Sequence, residues 1–245
     1  MRKIYLDIGN SFIKSAEKRD QTWQMTHKEE VGVAENLFKS FAEQGDIETI
    51  ISSSVRRDVL DMLNSILSGV EIKTITTDMI PSEHLDYQTP QTLGIDRFLV
   101  CLGAFVQKGG NVIVIDAGSA CTIDLMTKDK VFRGGVIMPG LEIFHRSMRR
   151  NLPELPDIDR EMMGNWPGKS TEECVGWGVN GSYLMAIGSF LNKFKAEYTP
   201  AEVFVTGGDA AYISSYLNEE IPMIVRDFLL FEGMTAFEDM ADGSR

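Results

Sequence analysis

The sequence predicts an α/β protein built from two similar halves. Three observations point there. Short apolar runs alternate with stretches of helical spacing, a double glycine at Gly109-Gly110 breaks the chain near its middle, and an apolar strand ending in Asp-x-Gly occurs in both halves. The break sets the expected domains at 1–110 and 111–245 of the 245 residues, a length able to bury a sizeable core. Two Asp-x-Gly hairpins, one opening each half, imply an internal duplication with a cleft between the copies.

Ile4 to Lys14 reads as the first hairpin. Ile4-Tyr5-Leu6 delivers Asp7, Gly9 lets the backbone turn, and Asn10, Ser11 and Lys14 follow within reach. The tip gathers a carboxylate, amide and hydroxyl donors and an ammonium, the groups that hold a polyphosphate and its magnesium. Asp-x-Gly alone is also a common turn signal; its repetition raises it above that. Residues 15–33 read as further short strands, and 34–44 as a helix with Leu37, Phe38 and Phe41 on one face and Gly45 ending it. A buried strand at 47–53, a helix at 58–67, a strand at 72–76 and a loop at 81–90 follow. Leu93-Gly94-Ile95-Asp96-Arg97 then leads into a buried helix over 98–106.

The second half opens on Val112-Ile113-Val114-Ile115-Asp116-Ala117-Gly118-Ser119-Ala120-Cys121-Thr122, the logic of the first stretch again. Two carboxylates facing one cleft can hold a cation against a phosphate while turn amides hold its oxygens. The glycine-bearing stretch 132–141 precedes a helix at 141–150, and 153–167 is irregular. Ser170 or Thr171 caps a helix reaching about Tyr198, interrupted near 178–181, with Glu172 and Glu173 suited to its first turn. A strand at 201–205 enters Thr206-Gly207-Gly208-Asp209 ahead of a helix, a common way to seat a nucleotide on backbone groups. A strand at 224–225, a helix over 229–240 and a frayed polar tail at 241–245 close the chain.

With 24 Lys and Arg against 36 Asp and Glu, the net charge of −12 argues against nonspecific nucleic-acid or anionic-membrane binding. A phosphate site must therefore use particular Lys or Arg side chains and backbone donors. Cys101, Cys121 and Cys174 lack metal-ligand spacing and read as reduced thiols. No signal-peptide core or bilayer-length apolar run is seen, so a cytoplasmic location is expected. His27, His84 and His145 are isolated and carry no assigned chemistry.

In order, Asp7-x-Gly9-Asn10-Ser11-x-x-Lys14, Gly94-x-Asp96-Arg97, Asp116-x-Gly118-Ser119-Ala120-x-Thr122 and Thr206-Gly207-Gly208-Asp209 resemble the motifs of the type III pantothenate kinases. Further matches are Tyr87-x-x-Pro90, the stretch Gly134 to Gly140, and Ser170-Thr171, so the resemblance runs from Lys3 to about Gly233. That family belongs to the actin, hexokinase and acetate kinase superfamily. The resemblance implies two duplicated RNase H-like domains with a nucleotide cleft between them, and ATP-dependent phosphorylation of pantothenate to 4′-phosphopantothenate for coenzyme A synthesis.

The resemblance also implies roles. Asp7, Ile8, Gly9, Asn10, Ser11, Phe12, Ile13 and Lys14 match the ATP phosphate loop, and Ser119 a further ATP contact. Tyr87, Gly94, Ile95, Asp96, Arg97 and Thr171 match the pantothenate pocket, with Asp96 as the base that takes the substrate's hydroxyl proton. Asp116 matches a ligand of a monovalent cation, potassium or ammonium, and Asp7 is expected to reach Mg²⁺ through water. A homodimer, with the substrate pocket partly completed at its interface, is implied too. Ser replaces the usual Thr at Ser11 and Ser119 but keeps the hydroxyl, and Val55-Arg56-Arg57 replaces a common Val-Pro outside the expected catalytic set.

Simpler readings accompany these: Arg97 as an ion-pair partner of Asp96, and Thr171 as a helix cap. Two rival functions share the fold, a kinase for another small alcohol and a non-catalytic nucleotide-binding regulator. The intact Asp7, Asp96 and Asp116 argue against the second. A dinucleotide-binding domain fails because no Gly-x-Gly-x-x-Gly turn follows a strand.

Overall fold

The computed structural model describes residues 2–243, the side chain of Asp242 excepted. Contacts divide the chain into two compact units, one running to Gly103 and resuming at Phe228, the other spanning Ala104–Asp227.

In the first unit, β1 (Arg2–Ile8) pairs antiparallel with β2 (Phe12–Arg19), which pairs antiparallel with β3 (Thr22–Glu30). Residues 15–33, expected as further short strands, instead complete one long hairpin as far as Glu30, and Val31–Val33 form a short 3₁₀ turn. Asp20 and Gln21 turn it with φ of 48° and 65°, the left-handed pair that matches strand twist. After α1 (Ala34–Gln44), β4 (Ile47–Ser54) lies parallel to β1; after α2 (Arg57–Ile66), β5 (Glu71–Ile75) lies parallel to β4. The sheet order is β3-β2-β1-β4-β5. Ile4, Leu6 and Ile8 of β1 meet Leu37, Phe38 and Phe41 of α1 and Val59 and Leu63 of α2 in one buried core. The left-handed Gly45 ends α1 as expected.

Helix α3 (Ile95–Lys108) begins earlier than the apolar run suggested, which puts Asp96 and Arg97 in its first turn.

The second unit repeats the plan. Strands β6 (Asn111–Ala117), β7 (Ala120–Met126) and β8 (Phe132–Pro139) form an antiparallel meander. Helix α4 (Leu141–Asn151) follows, then an irregular segment, then α5 (Thr171–Gly176), a π turn at Trp177–Gly181, and α6 (Ser182–Glu197). Strand β9 (Ala201–Gly207) is parallel to β6 and leads through α7 (Ala210–Leu217) to β10 (Ile224–Val225). The order β10-β9-β6-β7-β8 is that of the first sheet with β6 in the place of β1. Ile113 and Ile115 of β6 are fully buried with Tyr183, Ile187 and Leu191 of α6. The spacing Gly176-x-Gly178-x-x-Gly181 begins at the last residue of α5 and runs through the π turn, so it follows a helix and not a strand.

The closing helix α8 (Leu229–Asp242) returns to the first unit, which a single cut at 110/111 did not foresee. The reason is a close crossing with α3. A Cβ at Gly103 would run into Leu229 O, and one at Gly233 into Leu99 O. Trp23 of β3 stacks on Phe228 at 6.3 Å and lies 5.8 Å from Phe231, and Lys3 Nζ reaches Glu238 Oε1 at 2.7 Å. Of the tail expected at 241–245, Ala241 and Asp242 continue α8, whereas Ser244 and Arg245 lie outside the described residues. No helix among the described residues is long and apolar enough to cross a membrane.

Candidate functional site

β1 carries Asp7 half-buried to the end of the first sheet, where the register sets Lys14 of β2 on one side and Ser53 of β4 on the other. Directly opposed residues share a face, and Ser53 Oγ donates to Asp7 Oδ1 at 3.1 Å. Gly9 N–H closes the turn on Phe12 O at 3.0 Å, leaving Asn10 and Ser11 exposed at the tip. Of the eight residues matched to the phosphate loop, Ile8 and Ile13 point their side chains into the core with no exposure. Only their backbone can reach a ligand.

Asp96 folds back on its own helix: Arg97 N–H donates to Asp96 Oδ1 at 3.0 Å. Gly94 makes room for this, since a Cβ there would collide with that same carboxylate oxygen. Arg97 is buried, and its Nη1 donates to Tyr87 Oη at 3.4 Å with the guanidinium carbon 5.9 Å from the Tyr87 ring centre. The structure therefore brings Tyr87, Gly94, Asp96 and Arg97 together at the start of α3.

A pocket of about 360 Å³ adjoins this helix start, lined by Ser54 and Val55 after β4, Ile75, Thr76 and Thr77 after β5, and Gln91 to Ile95. It lies outside the carboxyl ends of parallel strands, the usual place for ligands in open α/β sheets. Val55, set aside in the sequence as outside the catalytic set, lines it. Ser53, Thr76 and Thr77 were missed because only strand pairing sets β4 beside β1 and β5.

In the second unit Asp116 occupies the place in β6 that Asp7 has in β1. Its partners in register are Thr122 of β7 and Thr206 of β9, so a carboxylate stands between two hydroxyl residues on one sheet face. Thr122 Oγ1 is buried with no hydrogen-bond partner. Three turns converge here. Gly118 N–H bonds Ala120 O at 3.0 Å, Gly140 N–H bonds Ser119 O at 3.1 Å, and Asp209 N–H bonds Ala117 O at 3.1 Å. Ser119 is exposed at the tip. Among the described residues no group of three or more His, Cys, Asp or Glu side chains could hold a metal ion.

Asp209 is buried, and Arg160 Nη2 donates to its Oδ1 at 2.6 Å. Burial pushes this carboxyl above its ordinary range, and the Arg160 charge and hydrogen bond offset that only in part. Thr171 is the exposed first residue of α5, in the second unit. The cap is Ser170, whose Oγ accepts from Glu173 N–H at 3.2 Å. Cys101 and Cys121 are buried, Cys174 is exposed, and none forms a disulfide.

Comparison with known proteins agrees with the motif order. The sequence model of a family described as type III pantothenate kinase matches residues 3–193. A type III pantothenate kinase from Christiangramia forsetii is 29% identical over 236 residues, covering 94% of this chain and 95% of that protein. One from Chlorobaculum parvum is 30% identical over 230 residues, covering 86% and 85%. Among solved structures, the Lmo2764 protein of Listeria monocytogenes aligns with a TM-score of 0.57 at 11% identity, covering 98% of this chain and 100% of that one. The ethanolamine utilization protein EutJ of Carboxydothermus hydrogenoformans aligns at 0.55 and 12% identity, covering 97% and 90%. Likeness at such identity shows the fold alone. The sequence match, by contrast, spans residues of both units, from 3 to 193 in the family model, and on that extent this chain belongs to the type III pantothenate kinase family.

Proposed function

We propose that this chain transfers the γ-phosphoryl group of ATP to the primary alcohol of pantothenate, giving 4′-phosphopantothenate, the first step of coenzyme A synthesis. The observation that carries the reading is the start of α3, where Asp96 is held by its own helix and Arg97 is held against Tyr87 beside a pocket. Transfer to an alcohol needs a placed acceptor, a proton sink and charge neutralisation around the moving group. Asp96 takes the hydroxyl proton. Arg97 anchors the substrate carboxylate, a pairing its planar fork suits, with Tyr87 beside it; the family motifs also give Thr171 a part in binding pantothenate.

The backbone of residues 8–13, with Asn10, Ser11 and Lys14, holds the phosphates; the family motifs give Ser119 a separate ATP contact. Lys14 brings a cation to the face that Asp7 occupies. Asp7 fits a role in holding hydrated Mg²⁺, because Ser53 fixes one carboxylate oxygen and so orients the group. When bound, that ion supplies neutralisation of the β- and γ-phosphate charge. Asp116 with Thr122 and Thr206 fits a potassium or ammonium ion, the orphaned Thr122 hydroxyl being the oxygen such an ion would satisfy. We place the enzyme in the cytoplasm as a homodimer, following the family pattern.

The deciding experiment is an acceptor panel. Purified protein with Mg²⁺-ATP and K⁺ should phosphorylate pantothenate and leave sugars and other small alcohols untouched. Absence of pantothenate turnover, or faster turnover of another alcohol, would overturn the reading.

A further inference from the structure

The chain between α4 and α5 has no regular element, yet Asp159 to Met162 is fixed from three directions inside the second unit. Asn180, fully buried in the π turn, donates through Nδ2 to Asp159 O at 3.1 Å and Met162 O at 2.8 Å. Tyr216 Oη donates to Glu161 O at 3.2 Å. Arg160 Nη2 donates to Asp209 Oδ1.

The amide of Asn180 is set by this. Both its protons go to carbonyls, so Oδ1 is the atom facing His145 Nε2 at 2.8 Å, and the imidazole must carry its proton on Nε2. Turning the amide over would aim its oxygen at two carbonyl oxygens. An irregular strap is thus held by a network rooted in the buried Asn180, and the residue at its centre is a cation.

Arg160 is half exposed, its side chain at 49% against 10% for Asp209. A guanidinium has five N–H donors, and the contact with Asp209 uses one nitrogen. Asp209 itself stands at the N-cap of α7, where an Asp side chain ordinarily accepts a first-turn N–H. It makes no such bond, and its carboxylate is given to Arg160 instead. The neighbouring Gly208 has open space where a side chain would stand, with nothing within 4 Å of an added Cβ. Asp209 N–H is meanwhile bonded to Ala117 O, in the turn that carries Asp116 and Ser119. A cation with spare donors is therefore held where two turns meet beside open backbone.

We propose that Arg160 is a nucleotide-binding residue, held by Asp209 so that its remaining donors meet phosphate oxygens of the nucleotide seated on the Asp116–Ser119 and Thr206–Asp209 turns. The proposal rests on the reading that those turns hold ATP. Guanidinium suits the task because it pairs with phosphate through two parallel bonds, and a chain of net charge −12 needs a specific cation wherever it holds an anion.

The test measures ADP and adenosine binding by titration calorimetry, with KM for ATP and for pantothenate, in Arg160→Lys, Arg160→Gln and the double variant Arg160→Gln/Asp209→Asn. Gly208→Leu serves as the probe of the turn. Arg160→Lys keeps a charge for Asp209 but loses the fork. It should melt like the parent, bind ADP about tenfold more weakly, bind adenosine unchanged, raise KM for ATP and leave KM for pantothenate alone. Unchanged ADP binding in both single variants, with Gly208→Leu impaired, overturns the role of Arg160 and leaves the turn reading standing. Unchanged binding in all of them overturns the turn reading as well. Loss of ADP affinity that tracks lost thermal stability, with both restored in the double variant, would make Arg160 purely structural and overturn the proposal.

Discussion

Thr122 stands directly across from Asp116, and its hydroxyl is buried without a hydrogen-bond partner. A buried orphan of this kind costs about 1–3 kcal/mol, a cost that a ligand satisfying the hydroxyl would remove. The cation proposed at Asp116 would do so. Thr122→Val, nearly the same shape, should raise the K⁺ concentration for half-maximal activity several-fold. Without K⁺ it should leave the fold as stable as the parent or more so. Activity and melting temperature measured against K⁺ in a choline background check this. An unchanged K⁺ dependence would remove Thr122 from the site.

The crossing of α3 and α8 makes a sharper stability prediction. A methyl at Gly233 meets the Leu99 carbonyl, backbone against backbone, with no flexible side chain to yield. Gly233→Ala should therefore destabilise the first unit by about 1–3 kcal/mol or more. Gly178→Ala, where an added Cβ meets nothing within 4 Å, should be neutral or slightly stabilising. Urea midpoints for the two variants decide; equal midpoints would mean that the helices do not need the close approach.

These two cases mark what the sequence could and could not reveal. Asp7 and Asp116 were legible because each ends an apolar run before a glycine, a signal local to a few residues, and the repeat of that signal announced the duplicated fold. Gly94 to Arg97 was legible as a motif, although only the structure shows that Gly94 is there to admit the Asp96 carboxylate. Thr122, Thr206 and Ser53 became site residues through strand register, which couples positions far apart in the chain. The return of α8 to the first unit has the same origin, since Gly103 and Gly233 acquire meaning only when the helices cross. Ser170 took the cap that Thr171 also fitted because adjacent hydroxyl residues compete for one N–H, and spacing does not choose between them.

Asp96 and Gly94 should fail together and for different reasons. Asp96→Asn removes the proposed proton acceptor and should lower kcat by ~10²–10⁴-fold with little change in KM for pantothenate. Gly94→Ala keeps the carboxylate but forces it off its present position. Displacements of about 1 Å at a reacting group cost on the order of 10²-fold, so kcat should fall while the melting temperature holds. Rapid-quench measurement of the chemical step tests both. A Gly94→Ala enzyme with the parent's rate would show that the observed position of Asp96 is not the working one.

Acid stability should depend on Glu17. Its side chain is 4% exposed, and it accepts from Arg2 Nε at 2.9 Å and Arg19 Nη2 at 2.9 Å. Burial alone would push this carboxyl up, but the hydrogen bonds and charges of Arg2 and Arg19 outweigh it and hold the group below its ordinary value. A depressed folded value means the unfolded chain binds the proton first as pH falls. The contribution is then complete above the ordinary glutamate range near ~4.3 and is lost as pH drops through the depressed folded value. Glu17→Gln should be less stable than the parent by about 1–3 kcal/mol at pH 7. Arg2 keeps Gln44 at 2.7 Å and Asp46 at 3.2 Å in that variant, which limits the loss. Urea unfolding from pH 7 to pH 3 should show the gap closing below about pH 4. A gap that stays constant or widens in acid would mean that the two arginines do not set the ionisation of Glu17.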